Sequence, residues 1–228
     1  MASLFAYVGC YTSPERGGRG KGINVYRVDR RTGAFAHVQL LPIENPSFLA
    51  FSGDGRHLYA IHGDRSEATS FTVDPRSGEL TLLNRQPTGG YNPIHLALDA
   101  TSRFLVVANY GSDSTAVLPI HPDGSLGAYS TLFTWGEDAK GVHRGIDGMC
   151  LDADGNIVAT NGWEVSGPGA MITVFSPTGR VLETHPVPAD RPTNCCFGGR
   201  DLTTLFVTTT QGHFFKAETD RVGWAMYP

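Results

Sequence analysis

The sequence predicts an all-β fold, a small β-propeller of four-stranded antiparallel blades, five of them in the ring. Three observations predict it. Short apolar runs alternate in pattern and are separated by Gly, Pro, Asp and Ser turns, as strands of a meander are. The whole four-strand unit then restarts at a spacing of roughly 45–50 residues, the period of a propeller blade. No stretch of useful length carries a helical period.

The clearest copy runs from Asn45 to Tyr91. It opens with Asn45-Pro46-Ser47-Phe48-Leu49-Ala50-Phe51, turns at Gly53-Asp54-Gly55, and continues through His57-Leu58-Tyr59-Ala60-Ile61. Thr69 to Val73 and Leu80 to Leu83 complete it, with Asp74-Pro75-Arg76-Ser77-Gly78 as the turn between them. The pattern restarts at Asn92-Pro93-Ile94-His95-Leu96, and full units are expected over 45–91, 92–143 and 145–192. Three strands precede them (Leu4 to Thr12, Ile23 to Val28, Ala34 to Ile43) and three follow (around Cys195, Leu205 and Phe214). The last run, Val222 to Tyr227, is a candidate for a strand that helps close the ring, since a propeller must hide its edges. The loop Gly17-Gly18-Arg19-Gly20-Lys21-Gly22 resembles a phosphate loop only superficially. It lacks the Ser or Thr after the Lys and the helix behind it, and reads better as a mobile hairpin loop.

The chain of 228 residues, with 40% hydrophobic and 18% charged residues, is long enough to bury a core. Its 28 glycines and 14 prolines suit many tight turns, and its net charge of −4 gives no electrostatic case for nucleic acid or an anionic membrane. No run approaches the ~18 apolar residues of a membrane span, and Met1 to Val8 reads as a strand rather than a signal peptide. Cys10, Cys150, Cys195 and Cys196 suggest neither a disulfide framework nor a zinc site, so a reducing, cytoplasmic setting is expected.

In a propeller the first strand of each blade lines the channel, so the starts of these strands converge at one mouth. They supply Glu44-Asn45, then Asn92, Asp147 and Asn194. Carboxylate and amide oxygens converging from several directions suit a hard divalent cation, which polarises a carbonyl, while a neighbouring carboxylate acts as base. Asn and Asp also begin strands simply as turn residues. His57 and His95 lie in strand runs and suit packing, with His95 also a candidate substrate contact beside Asn45; Cys195 and Cys196 read as core thiols. Tyr91 and Tyr110 are candidates for the mouth, and Trp163-Glu164 for its rim.

Two resemblances sharpen this. Residues 1–135 resemble the 6-phosphogluconolactonase-type lactonases, which include the carboxymuconate cyclases and have seven blades. The carrying motifs are Tyr7-Val8-Gly9-Cys10-Tyr11-Thr12, Gly22-Ile23-Asn24-Val25-Tyr26, Asn45 to Ala50, Tyr91-Asn92-Pro93-Ile94-His95-Leu96-Ala97 and Val107 to Ser112. Residues 145–218, within a second part running 145–228, resemble the six-bladed gluconolactonase/regucalcin family through Ile146-Asp147-Gly148-Met149 to Gly155 and Pro192-Thr193-Asn194 to Gly199. That second resemblance implies a divalent metal, calcium in many members, with Asp147 as ligand and general base and Glu44, Asn92 and Asn194 as further ligands. The first family's His-Pro-His strand and later Asp-Arg segment are missing. Gly141-Val142-His143-Arg144-Gly145 stands at the join, where His143 and Arg144 could serve as base and anion clamp or be plain loop residues.

The leading expectation is therefore a single propeller domain that hydrolyses a sugar or related small lactone at a metal site in its channel. The alternatives are a metal-free isomerase or cyclase acting on a small carbonyl compound in the same channel, and a binding propeller without catalysis. Each takes a small molecule, and none implies nucleic acid or membrane.

Overall fold

The computed structural model describes residues 3–225. Met226 and Tyr227, the end of the expected closing strand, lie outside them. Alternating runs become five antiparallel sheets in series, each a simple meander. The first holds β1 (Leu4–Gly9), β2 (Gly22–Val28) and β3 (Phe35–Pro42). The second holds β4 (Pro46–Phe51), β5 (His57–His62), β6 (Glu67–Val73) and β7 (Leu80–Pro87). The third holds β8 (Pro93–Leu98), β9 (Phe104–Asn109), β10 (Ser114–Pro119) and β11 (Ser130–Thr134). A small hairpin of β12 (Glu137–Asp138) and β13 (Gly141–Val142) follows. The fourth sheet holds β14 (Met149–Leu151), β15 (Ile157–Asn161), β16 (Met171–Phe175) and β17 (Val181–Pro186), and the fifth β18 (Pro192–Gly198), β19 (Thr204–Thr209) and β20 (Phe214–Glu218).

The turns are built by aspartates that bind their own backbone. Asp29 and Asp74 each accept two amide hydrogens from the residues two and three positions on. The fold is a β-propeller, and its cores lie between sheets. One cluster joins sheets one and two (Ile23, Val25, Leu58, Phe71), the next sheets two and three (Tyr59, Ile61, Leu96, Leu105). Two more join sheets three and four (Ala97, Val106, Met149, Phe175) and sheets four and five (Val158, Val174, Cys195, Val207). Among the described residues no such cluster joins the fifth sheet to the first. β1, β4, β8, β14 and β18 pack on one another in that order along the inside of the arc.

Residues 221–224 do not complete the first sheet. The Ala153 amide donates to Val222 and that of Trp224 to Leu151, so this segment pairs with the inner strand of sheet four. Arg221 holds it there through Asp152 (2.7 Å) and Glu183. The glycine-rich loop is also more structured than expected. It carries a 3-10 turn at Pro14–Arg16, folds onto Tyr11 and Ser13 through the amides of Gly18 and Gly20, and leaves no room for a Cβ at either glycine.

Candidate active site at the inner-strand starts

The inner strands of sheets two, three and five each begin with an extra residue. Register slips between Pro46 and Phe48, between Pro93 and His95, and between Pro192 and Asn194, leaving Ser47, Ile94 and Thr193 as the inserted positions. In sheet four Asp147 donates its amide to Thr160, and Met149 pairs with Ala159, which puts Asp147 at the same inserted position. Asn45 and Asn92 stand two residues earlier, and Asn194 one residue later. With Glu44 one residue before Asn45, the expected single ring of oxygen donors is thus spread over four levels of the mouth.

Four of the donors, Glu44, Asn45, Asn92 and Asn194, already have hydrogen-bond partners. The Glu44 carboxylate, 52% exposed, pairs with Arg65, whose hydrogen bond holds its pKa below the ordinary value. Asn45 is fully buried. Its Oδ1 accepts from the Thr12 amide (2.9 Å), the Ser13 amide (3.0 Å) and the Thr12 hydroxyl (3.2 Å), while Nδ2 donates to Ser13 Oγ and the Gly63 carbonyl. That bracket ties sheet one to sheet two and leaves nothing for a substrate. Asn92 Oδ1 accepts from the Asp64 amide (3.0 Å), tying sheet two to sheet three in the same way. Asn194 Oδ1 accepts from the Cys195 amide and lies where a Cβ on Gly148 would be, so glycine at 148 lets β18 approach. Among the described residues no three His, Cys, Asp or Glu side chains gather. In the donor set Glu44, Asn92, Asp147 and Asn194 both carboxylates are paired with arginines and both amide oxygens accept from backbone amides, so these side chains do not fit a shared divalent ion as they are placed here.

What the fold does bring together is Arg144, Asp147, Tyr110 and the start of β18. Arg144 is buried, at 3% exposure of its side chain. Its Nη2 donates to Asp147 Oδ2 at 2.5 Å, and its Nη1 to the carbonyls of Pro192 (3.0 Å) and Gly162 (3.3 Å). Its Nε reaches the Tyr110 hydroxyl at 3.4 Å. One guanidinium thus binds groups from sheets four and five and from the turn after β9, which corrects the expectation of an accessible anion clamp. Asp147 is 27% exposed, and its Oδ1 has no partner among the described residues. Burial raises its pKa above the ordinary carboxylate value, against the opposing pull of Arg144. The result is a half-sheltered carboxylate with one oxygen anchored and the other open, the arrangement a general base needs.

His143 turns away from this pair. Its ring packs on Gly167, and its Nε2 lies 3.4 Å from Asp138 Oδ2 without hydrogen-bond alignment. His95 is buried against Phe48, with ring centroids 4.3 Å apart, and its Nδ1 has no partner. Burial lowers its pKa to about 4, so the ring is neutral near neutral pH. Tyr91 is exposed at the rim, where its amide binds Ser112 Oγ.

A family profile described as "Lactonase, 7-bladed beta-propeller" matches residues 5–182. The chain belongs to this lactonase family. The matched range spans residues 135–145, so it extends into the part that resembles gluconolactonases. Among relatives of the lactonase-family chain, the 6-phosphogluconolactonase of Bacillus subtilis is 33% identical over 147 residues, 63% of this chain and 40% of that protein. Regucalcin of Danio rerio is 39% identical over 64 residues, 28% of this chain and 20% of that one. The chain therefore spans well under half the length of these two relatives. Among solved structures, a Bacteroides uniformis protein assigned as a 6-phosphogluconolactonase superposes with a TM-score of 0.79 at 27% identity, over 99% of this chain and 68% of that one.

Proposed function

We propose that the chain opens a small sugar lactone, with Asp147 as the general base at the inner start of sheet four. The carrying observation is the Asp147 carboxylate, held at Oδ2 by Arg144 and open at Oδ1. Oδ1 takes a proton from water as the oxygen attacks the lactone carbonyl. The ring C–O bond then breaks and the ring oxygen leaves as a hydroxyl, accepting that proton. Arg144 does not touch the substrate in this scheme; it fixes the carboxylate's orientation and favours its ionised form against burial. The lactonase relatives support this substrate class. The four free thiols are the reason for placing the protein in a reducing, cytoplasmic compartment. On the repeat pattern, the five sheets are five blades of the propeller.

The test is lactone opening by wild type and Asp147→Asn, with the uncatalysed rate subtracted. Loss of the base is expected to lower kcat by about 100- to 10,000-fold, while the melting temperature stays within a few degrees. Unchanged turnover by the variant would end the assignment.

A further inference from the structure

Three sheets share a pre-proline position with a left-handed backbone: Asn45 (φ 42°), Asn92 (φ 50°) and Arg191 (φ 51°), before Pro46, Pro93 and Pro192. Asparagine is among the side chains that tolerate this conformation best, and at the first two positions its amide bridges to the preceding sheet. Arginine has no such excuse, and a disfavoured backbone held in place invites a functional reason. The bridge has moved one residue back. Asp190 Oδ1 accepts from the Glu164 amide at 2.7 Å, the bond that Asn92 makes to the Asp64 amide, and so frees residue 191 from structural duty.

Arg191 is then arranged rather than loose. Its guanidinium lies over the Trp163 ring, 5.5 Å from the centroid, and its Nε is 3.3 Å from Asp190 Oδ2. Its terminal nitrogens have no partner among the described residues, and the side chain is 46% exposed. Arg16 and Arg65, in the loops of sheets one and two, differ: each gives a terminal nitrogen to a carboxylate, of Asp64 and Glu44. Trp163 and Arg191 directly adjoin Gly162 and Pro192, whose carbonyls sit on the guanidinium that holds Asp147. A planar cation on an aromatic platform, next to the proposed base, suits two-point recognition of a phosphate.

We infer that Arg191, seated on Trp163, binds the phosphate of a phosphorylated sugar lactone or acid and sets the preference for it over the neutral sugar. This rests on the proposed function for its location, and its test reads binding instead of turnover. Arg191→Asn installs the residue found at the two equivalent positions. Wild type and variant are titrated calorimetrically with 6-phosphogluconate and with gluconate, and their melting temperatures compared. The variant is expected to bind 6-phosphogluconate about 10- to 100-fold more weakly, to keep gluconate affinity within about twofold, and not to melt lower. Equal weakening of both acids, an unchanged preference, or no binding of 6-phosphogluconate by wild type overturns the inference. A wild type that opens no lactone yet binds 6-phosphogluconate through Arg191 refutes the proposed activity and leaves this inference standing.

Discussion

Asn45 and Asp147 stand within two levels of each other at the starts of inner strands, yet they do opposite things. Asn45 is fully buried and every polar atom of its side chain is used, so the mouth at sheets one to three is closed by its own brackets. Asp147 keeps one oxygen open, because a single buried arginine does the bracketing for sheets four and five. A polar residue at a channel mouth is thus no sign of a site in itself; what matters is whether its hydrogen-bonding capacity is already spent.

The largest expected contrast is in stability. Asn45→Ala strands the amides of Thr12 and Ser13 and the Gly63 carbonyl, and is expected to cost about 3–5 kcal/mol by urea unfolding. A cost near zero would break the distinction between closed and open mouths. Next is acid stability. His95 carries a folded pKa of about 4 against an ordinary 6.5, so its contribution is complete above pH 6.5 and is lost as pH falls through 4. That lowering amounts to about 3 kcal/mol, which His95→Phe is expected to abolish from the pH dependence of unfolding. Calcium offers a third test. Saturation at 100 times a dissociation constant adds about 2.7 kcal/mol to the folded state, whereas the arginine and backbone partners of Glu44, Asn92 and Asn194 predict no shift in melting temperature with calcium or EDTA. The smallest effect belongs to Glu44→Gln. Its exposed pair with Arg65 is screened by solvent, and a change within about 0.5 kcal/mol is expected from the same unfolding curves.

The strands were legible because their alternation and Asp-Gly turns report directly on pleat and hairpin. The hairpin Glu137–Asp138 with Gly141–Val142 was not, since two-residue strands carry no period. The candidate site was legible residue by residue and not as a constellation. Asp147 and Arg144 could be picked from the sequence, but an inserted residue at the inner-strand starts of sheets two to five shifts the donors' levels, and spacing alone does not show it. Nor does spacing reveal that Thr12, 33 residues away, consumes the Asn45 carbonyl. Arg191 had a readable signal: Asn-Pro, Asn-Pro and then Arg-Pro at the openings of three units.

The most direct test of the central claim is the pH dependence of kcat/KM for lactone opening by wild type and Asp147→Asn. Burial raises the Asp147 pKa, and a base must be ionised, so the wild-type rate is expected to rise with pH along an acid limb displaced above the ordinary carboxylate value of 3.8. That limb should vanish in the variant together with most of the rate. A variant that keeps both the rate and the limb would show that the proton goes elsewhere, and that the open oxygen of Asp147 is not the base.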